Sequence, residues 1–218
     1  MYPWFMARRG WWILAGRPFG MPLRLHLLLP LGPVFFGGLR WAPGAWLAFL
    51  LVIVVHELGH AWMARGVGAQ PTGIDVHPLG GACHYTGVSS PFSRALVAWG
   101  GPLGQLVLLV AALVAFAASS RTLDPFLLDL RHGLVAANAW LLLLNLLPLP
   151  PFDGAEAFKL LPLMAAARAR ARRTADDTAL ESLIDADARG EVAPETRRLV
   201  GELMQSTSRR QKAPSRPR

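Results

Sequence analysis

The 24 residues between Arg40 and Arg65 carry only three ionisable side chains, His56, Glu57 and His60. A helix of that length reaches about 36 Å, enough to cross a hydrocarbon core of ~30 Å. The bilayer interior offers backbone groups no water to bond, so such a stretch has to be helical. Three further apolar segments repeat the pattern. One runs from Leu25 to Leu39 and contains Pro30 and Pro33, so it is expected to cross only partly or to kink. One runs from Ala95 to Ser120 without a formal charge, and one from His132 to Leu147, ending in Pro148, Pro150 and Pro151. The expected fold class is an all-α polytopic membrane protein with about four membrane helices. Composition agrees: 53% of residues are hydrophobic, 17% are charged and the mean hydropathy is +0.34, where a soluble domain carries about 25% charged residues.

The net charge of +8 would suggest nucleic acid in a soluble chain. Here the arginines flank apolar segments at the N-terminus and in the tail, as cytoplasmic flanks beside anionic lipid do. Membrane lipid, and not nucleic acid, is the expected partner. Arg8, Arg9, Arg17 and Arg24 precede the first segment and place its start in the cytoplasm. Four crossings then put Arg40 outside, Arg65 and Arg94 inside, Arg121 and Arg131 outside, and the basic tail inside. The His56–His60 end of the second segment and the Pro-rich end of the fourth therefore share the cytoplasmic side of a multi-pass protein in the cell membrane. The first 20 residues lack a clean apolar core and a cleavage site, so no removable signal peptide is expected. Trp4, Trp11 and Trp12 are assigned to a membrane surface.

Four regions follow: a cytoplasmic or interfacial segment over 1–24, a membrane-embedded domain over 25–160, a cytoplasmic helical tail over 161–204 and a disordered basic tail over 205–218. Within the tail, residues 155–173 read as helical and 174–204 as two soluble amphipathic helices, the second opening at Pro194. In the connection from Gly66 to Arg94, Ile74, Val76, Gly80-Gly81 and Tyr85 predict a short β-hairpin. Cys83 is the only cysteine, which excludes an intrachain disulfide and a multi-cysteine metal site; it reads as a small buried hydrophobe.

His56-Glu57-Leu58-Gly59-His60 has the spacing of a zinc peptidase. Residues i and i+4 lie above one another on a helix face, so both imidazoles can reach one ion. Glu57 can accept a proton from a water activated there. Charged groups inside a membrane helix each cost about 2.5 kcal/mol or more, so they are rarely idle. A third protein ligand is needed. The glycine and histidine that supply it shortly downstream in some soluble zinc proteases are replaced by Met63 and Gly66. Asp75, His77, His84, Asp129, His132, Asp153 and Glu156 remain. Asp153 is favoured because it sits where the prolines break the fourth segment, level with the histidine pair. The amide of Asn145 has two readings, a hold on substrate carbonyl or oxyanion and an interhelical hydrogen bond. Asn138 reads as structural. Gly80-Gly81 could let a substrate backbone pair as an added strand, or simply form a turn.

The His56–His60 helix, the Gly100-Gly-Pro-Leu-Gly104 stretch and the Asn145–Gly154 motif, in this order, resemble the site-2 protease family of intramembrane zinc metalloproteases over about residues 45–160. The resemblance implies one Zn2+ held by His56, His60 and Asp153, with Glu57 as general base. It implies a three-helix catalytic core, and hydrolysis of peptide bonds within or near transmembrane segments of protein or peptide substrates. The family usually has Asn where Gln105 stands, and often Leu-Asp-Gly-Gly where this chain has Phe152-Asp-Gly-Ala155. The chain resembles a compact member without added periplasmic or nucleotide-sensing domains. Two other classes share some of these features. A catalytically inactive zinc-containing binding protein would keep the ligands but leave Glu57 without a purpose. A metal transporter would spread polar groups along its helices, where the third segment offers only Gln105.

Overall fold

The computed structural model describes residues 11–32, 34, 41–88, 90–118, 124–196, 198 and 201. It separates into two compact units, 1–163 and 164–218.

The first unit joins a helical layer to a small sheet. Helix α1 (Pro43–Gly66) opens on a proline at its first position and carries Arg65 in its last turn, an arrangement that suits both termini. Helix α2 (Pro91–Ala117) is capped by Ser90, whose Oγ accepts from the Ser93 N–H at 3.0 Å. Helix α3 (Pro125–Asn145) is capped by Asp124 and contains a π-helical stretch, Gly133–Ala137. These three helices are long and apolar enough to cross a membrane. Their outer faces are apolar, with Trp62, Val107 and Val114 all more than 60% exposed, as a lipid-facing surface requires.

The sheet order is β1-β2-β3-β4, with β1 (Trp12–Gly16) antiparallel to β2 (Leu23–His26), β2 parallel to β3 (Gln70–His77), and β3 antiparallel to β4 (Gly80–Thr86). The predicted hairpin is β3–β4. Beyond the expected helices and hairpin, β1 and β2 complete a four-stranded sheet, and three spans stand among the described residues where about four were expected. The first apolar segment begins as strand and turn: Leu25 and His26 belong to β2, and residues 27–30 are a turn. Most of its remainder, 35–40, lies outside the described residues, as do Trp4, Arg8, Arg9 and the tail 205–218. The fourth segment starts earlier than expected, at Pro125.

One sheet face packs on α1, where Met21, Ile53, Ala61, Ile74 and Val76 form a buried cluster. Buried Asp75 ties three strands together. Arg24 of β2 donates to it at 2.6 and 3.1 Å, and His84 Nε2 of β4 lies 3.0 Å away. Burial raises the Asp75 pKa, but the bonds from His84 and Arg24 outweigh it and hold the carboxyl below its usual range.

Helices α1 and α2 meet backbone to backbone. A side chain on Gly59 would strike the Gly100 carbonyl, one on Gly100 would strike Gly59, and one on Gly104 would sit 2.8 Å from the Val55 carbonyl. Small residues allow this approach where helices have no water to exclude between them. After α3, the chain turns through Pro148–Asp153 into a short helix α4 (Gly154–Ala157).

In the second unit, helix α5 (Leu160–Ala188) continues from the first unit and runs unbroken through residue 174, where the sequence suggested a new helix. A helical turn begins at Pro194, as expected.

Replacing Gly100 with Leu should separate α1 from α2 and cost on the order of 3 kcal/mol, read as a lower unfolding temperature of the purified protein in detergent.

Candidate metal centre

His56 and His60 project from α1 between α2 and the loop after α3. His60 Nδ1 lies 2.8 Å from the Val97 carbonyl, and His56 Nδ1 lies 3.0 Å from Gln105 Oε1. A carbonyl oxygen only accepts, so both protons sit on Nδ1 and both Nε2 atoms present lone pairs. Those Nε2 atoms are 3.0 Å apart. Asp153 Oδ2 lies 3.0 Å from His56 Nε2 and 3.2 Å from His60 Nε2. Three electron-rich atoms thus converge with no donor among them. Donors about 2.0–2.1 Å from a tetrahedral ion lie about 3.3 Å from one another, so the spacing fits a divalent cation bound by two imidazoles and one carboxylate. Among the described residues, no other group of three or more His, Cys, Asp or Glu meets the spacing for a metal.

The hydrogen bonds behind the histidines come mainly from α2. Gln105, fully buried, accepts at Oε1 from Asn145 Nδ2 at 3.0 Å as well as from His56. Gln105 therefore joins His56 of α1 to Asn145 of α3. Asn138 donates to the Gln105 carbonyl at 3.1 Å, which matches its structural reading. Gly101 is required, because a Cβ there would stand 2.6 Å from His56 Nε2. Trp99, which the sequence gave no reason to single out, holds the Asp153 loop: its indole N–H donates to the Ala157 carbonyl at 3.0 Å, and its ring meets Phe158 edge-on at 5.6 Å.

Glu57 is buried, 5% exposed, and accepts from the Cys83 backbone N–H. Gly81 lies against it, so that a Cβ would come within 2.6 Å of Glu57 Cγ and Oε1. Gly80 adopts φ +144°, which favours glycine. Cys83 packs on the sheet–helix core, and burial together with the Glu57 charge pushes its thiol up to about 12, consistent with an unreactive side chain.

The other ligand candidates lie elsewhere. Asp75 and His84 bind each other and Arg24. His77 Nδ1 accepts from the Leu79 N–H at 3.3 Å. Glu156 pairs with Arg94 and Lys159, while Asp129 and His132 lie on α3 outside the group. A cavity of about 790 Å³ opens on the centre, lined by Glu57, Gly81, Asn145 and Asp153 among others.

A family model described as Peptidase M50B-like matches residues 34–149, more than half of the chain. The match includes His56, Glu57, His60, Gln105 and Asn145 and stops four residues short of Asp153. Among solved structures, the Site-2 Protease from Methanocaldococcus jannaschii aligns with a TM-score of 0.51 at 20% identity, covering 69% of this chain and 71% of that one, and so shares its fold. A comparison with curated proteins found no match.

Gln105→Ala and Trp99→Phe should each weaken Zn2+ binding by about 10–100-fold, measured by titrating metal-stripped protein against a competing chelator. Gly81→Ala should leave that affinity unchanged while displacing the Glu57 carboxylate.

Proposed function

The chain belongs to the Peptidase M50B-like family, a family of metallopeptidases, and from that premise we propose that it is an intramembrane zinc endopeptidase acting on transmembrane protein or peptide substrates. The observation that carries this reading is the convergence of His56, His60 and Asp153 beside buried Glu57, in a cavity between helices long enough to span a bilayer. His56, His60 and Asp153 would hold the zinc, which would supply Lewis acidity there. The chain's own residues do the rest. Val97 and Gln105 keep both imidazoles in the ligating tautomer. Glu57, set beside the ligands and held by the Cys83 N–H, takes the proton of the attacking water and delivers it to the leaving amine. The 3.0 Å bond from Asn145 to Gln105 supports an interhelical role for Asn145 over an oxyanion contact.

Strand β4 ends the sheet order, and Gly81 brings its backbone to Glu57. A substrate segment that unwinds and pairs with this edge lays its peptide bonds past the carboxylate. The arginine distribution supports a cytoplasmic position for the centre.

An inactive zinc-binding protein has no use for a carboxylate buried beside the ligands. A metal transporter needs polar groups along a path, yet Gln105 of α2 is committed to His56 and Asn145.

Glu57→Gln should keep one Zn2+ per chain and lower cleavage of a reconstituted single-span substrate by at least about 100-fold. Cleavage within tenfold of the unmodified protein overturns the assignment of Glu57.

A further inference from the structure

The cavity wall carries charges that the proposed chemistry does not use. Arg94 in the first turns of α2, and Glu156 and Lys159 at and just after α4, line the same cavity as Glu57 and Asp153. Lys159 is hydrogen-bonded to Glu156 Oε2, while Arg94 Nε stands 3.5 Å from Glu156 Oε1. Two cations therefore share one carboxylate, leaving an excess of one positive charge. The 3.5 Å contact is longer than a normal hydrogen bond, and the Arg94 side chain is 48% exposed. An ion pair this exposed contributes little to folding, about 0–1 kcal/mol, so stability alone gives weak reason for it. A half-engaged guanidinium keeps the planar fork that takes a carboxylate through two parallel bonds.

The position of Arg94 relative to β4 sets what it can read. Tyr85, near the end of β4, lines the same cavity as Arg94, Glu156 and Asp153. Gly81 of the same strand touches Glu57. The two positions are four residues apart, about 13 Å along an extended strand. We propose that Arg94, with Lys159 beside it, is a binding subsite for an acidic side chain of the substrate, about four residues from the bond that is cut. The subsite rests on the peptidase reading for the identity of its ligand, but its charge preference is a property that binding alone can test. Glu156 occupies it in the free protein and gives way to the incoming carboxylate.

The test uses full-length Glu57→Gln protein in nanodiscs of neutral phosphatidylcholine. The probes are fluorescent single-span peptides carrying Glu, Gln or Lys at successive positions three to five residues on either side of the cleavage point. The Glu peptide should bind about tenfold tighter than the Gln peptide at one of these positions, and the Lys peptide more weakly still. Arg94→Glu should reverse the order in favour of Lys. Equal binding of the three peptides at all positions overturns the subsite without needing any variant of Arg94. So does a preference that Arg94→Glu leaves unchanged, or one that appears only with phosphatidylglycerol in the disc, since that assigns Arg94 to lipid headgroups. Cleavage by the chain with Glu57 intact separates the two readings. A Glu preference in binding with no peptide cut leaves the subsite standing and removes the peptidase. Cutting with no charge preference does the reverse.

Discussion

Two imidazole lone pairs and a carboxylate oxygen are held 3.0–3.2 Å apart between apolar helices, and most of the surrounding structure serves to keep them there. Such an arrangement repels itself unless a cation sits at its centre, so each member needs support from behind. Val97 and Gln105 give that support to the histidines, and both belong to α2. Their reach depends on how closely α2 lies against α1, which Gly59, Gly100 and Gly104 determine. The third member arrives from a distant part of the chain, and Trp99, again on α2, bonds the helix that follows it. Helix α2 contributes none of the three converging atoms, yet its side chains and backbone support the elements that carry them.

The sheet supports the other half of the site. Asp75 joins β2, β3 and β4 through one buried carboxylate, and the apolar face of the same strands rests on α1. This fixes the height at which β4 passes Glu57. A carboxylate buried beside a metal centre has to be aimed, and Glu57 is aimed by a backbone N–H and by the absence of a side chain at Gly81.

What the sequence disclosed follows from which interactions are local. His56 and His60 are one helical turn apart, so their pairing is visible in the spacing, and the β3–β4 hairpin is visible in its glycines and alternating apolar residues. The approach of Asp153 could be argued because two breaks in apolar segments had to lie on one side of a membrane. The docking of β1 and β2 was hidden. It depends on Arg24 finding Asp75, 51 residues away, and the apolar run beyond Leu25 resembles the start of another span. The start of α3 was hidden by its own charges: Asp129 and Arg131 broke the apolar pattern, although Asp124-Pro125 is a sound cap and first turn. Trp99 had no local signature, since its partner is a backbone carbonyl 58 residues away. The family match ends before Asp153, and the structure brings that residue within 3.0–3.2 Å of the histidines.

The π-helical stretch Gly133–Ala137 divides α3 into two regular halves. Such a bulge corresponds to one additional residue in the helical count, which advances everything beyond it by about 100° around the axis. Gly133 rests against Ala48 of α1 where the bulge begins, while Asn138 and Asn145 meet Gln105 of α2 after it. The bulge thus lets one helix address α1 with one face and α2 with another. Along this helix the chain conserves phase as well as chemistry: deleting a single apolar residue would leave hydropathy almost untouched, yet it would swing both asparagines, and the start of the proline turn, a quarter revolution away from the metal ligands.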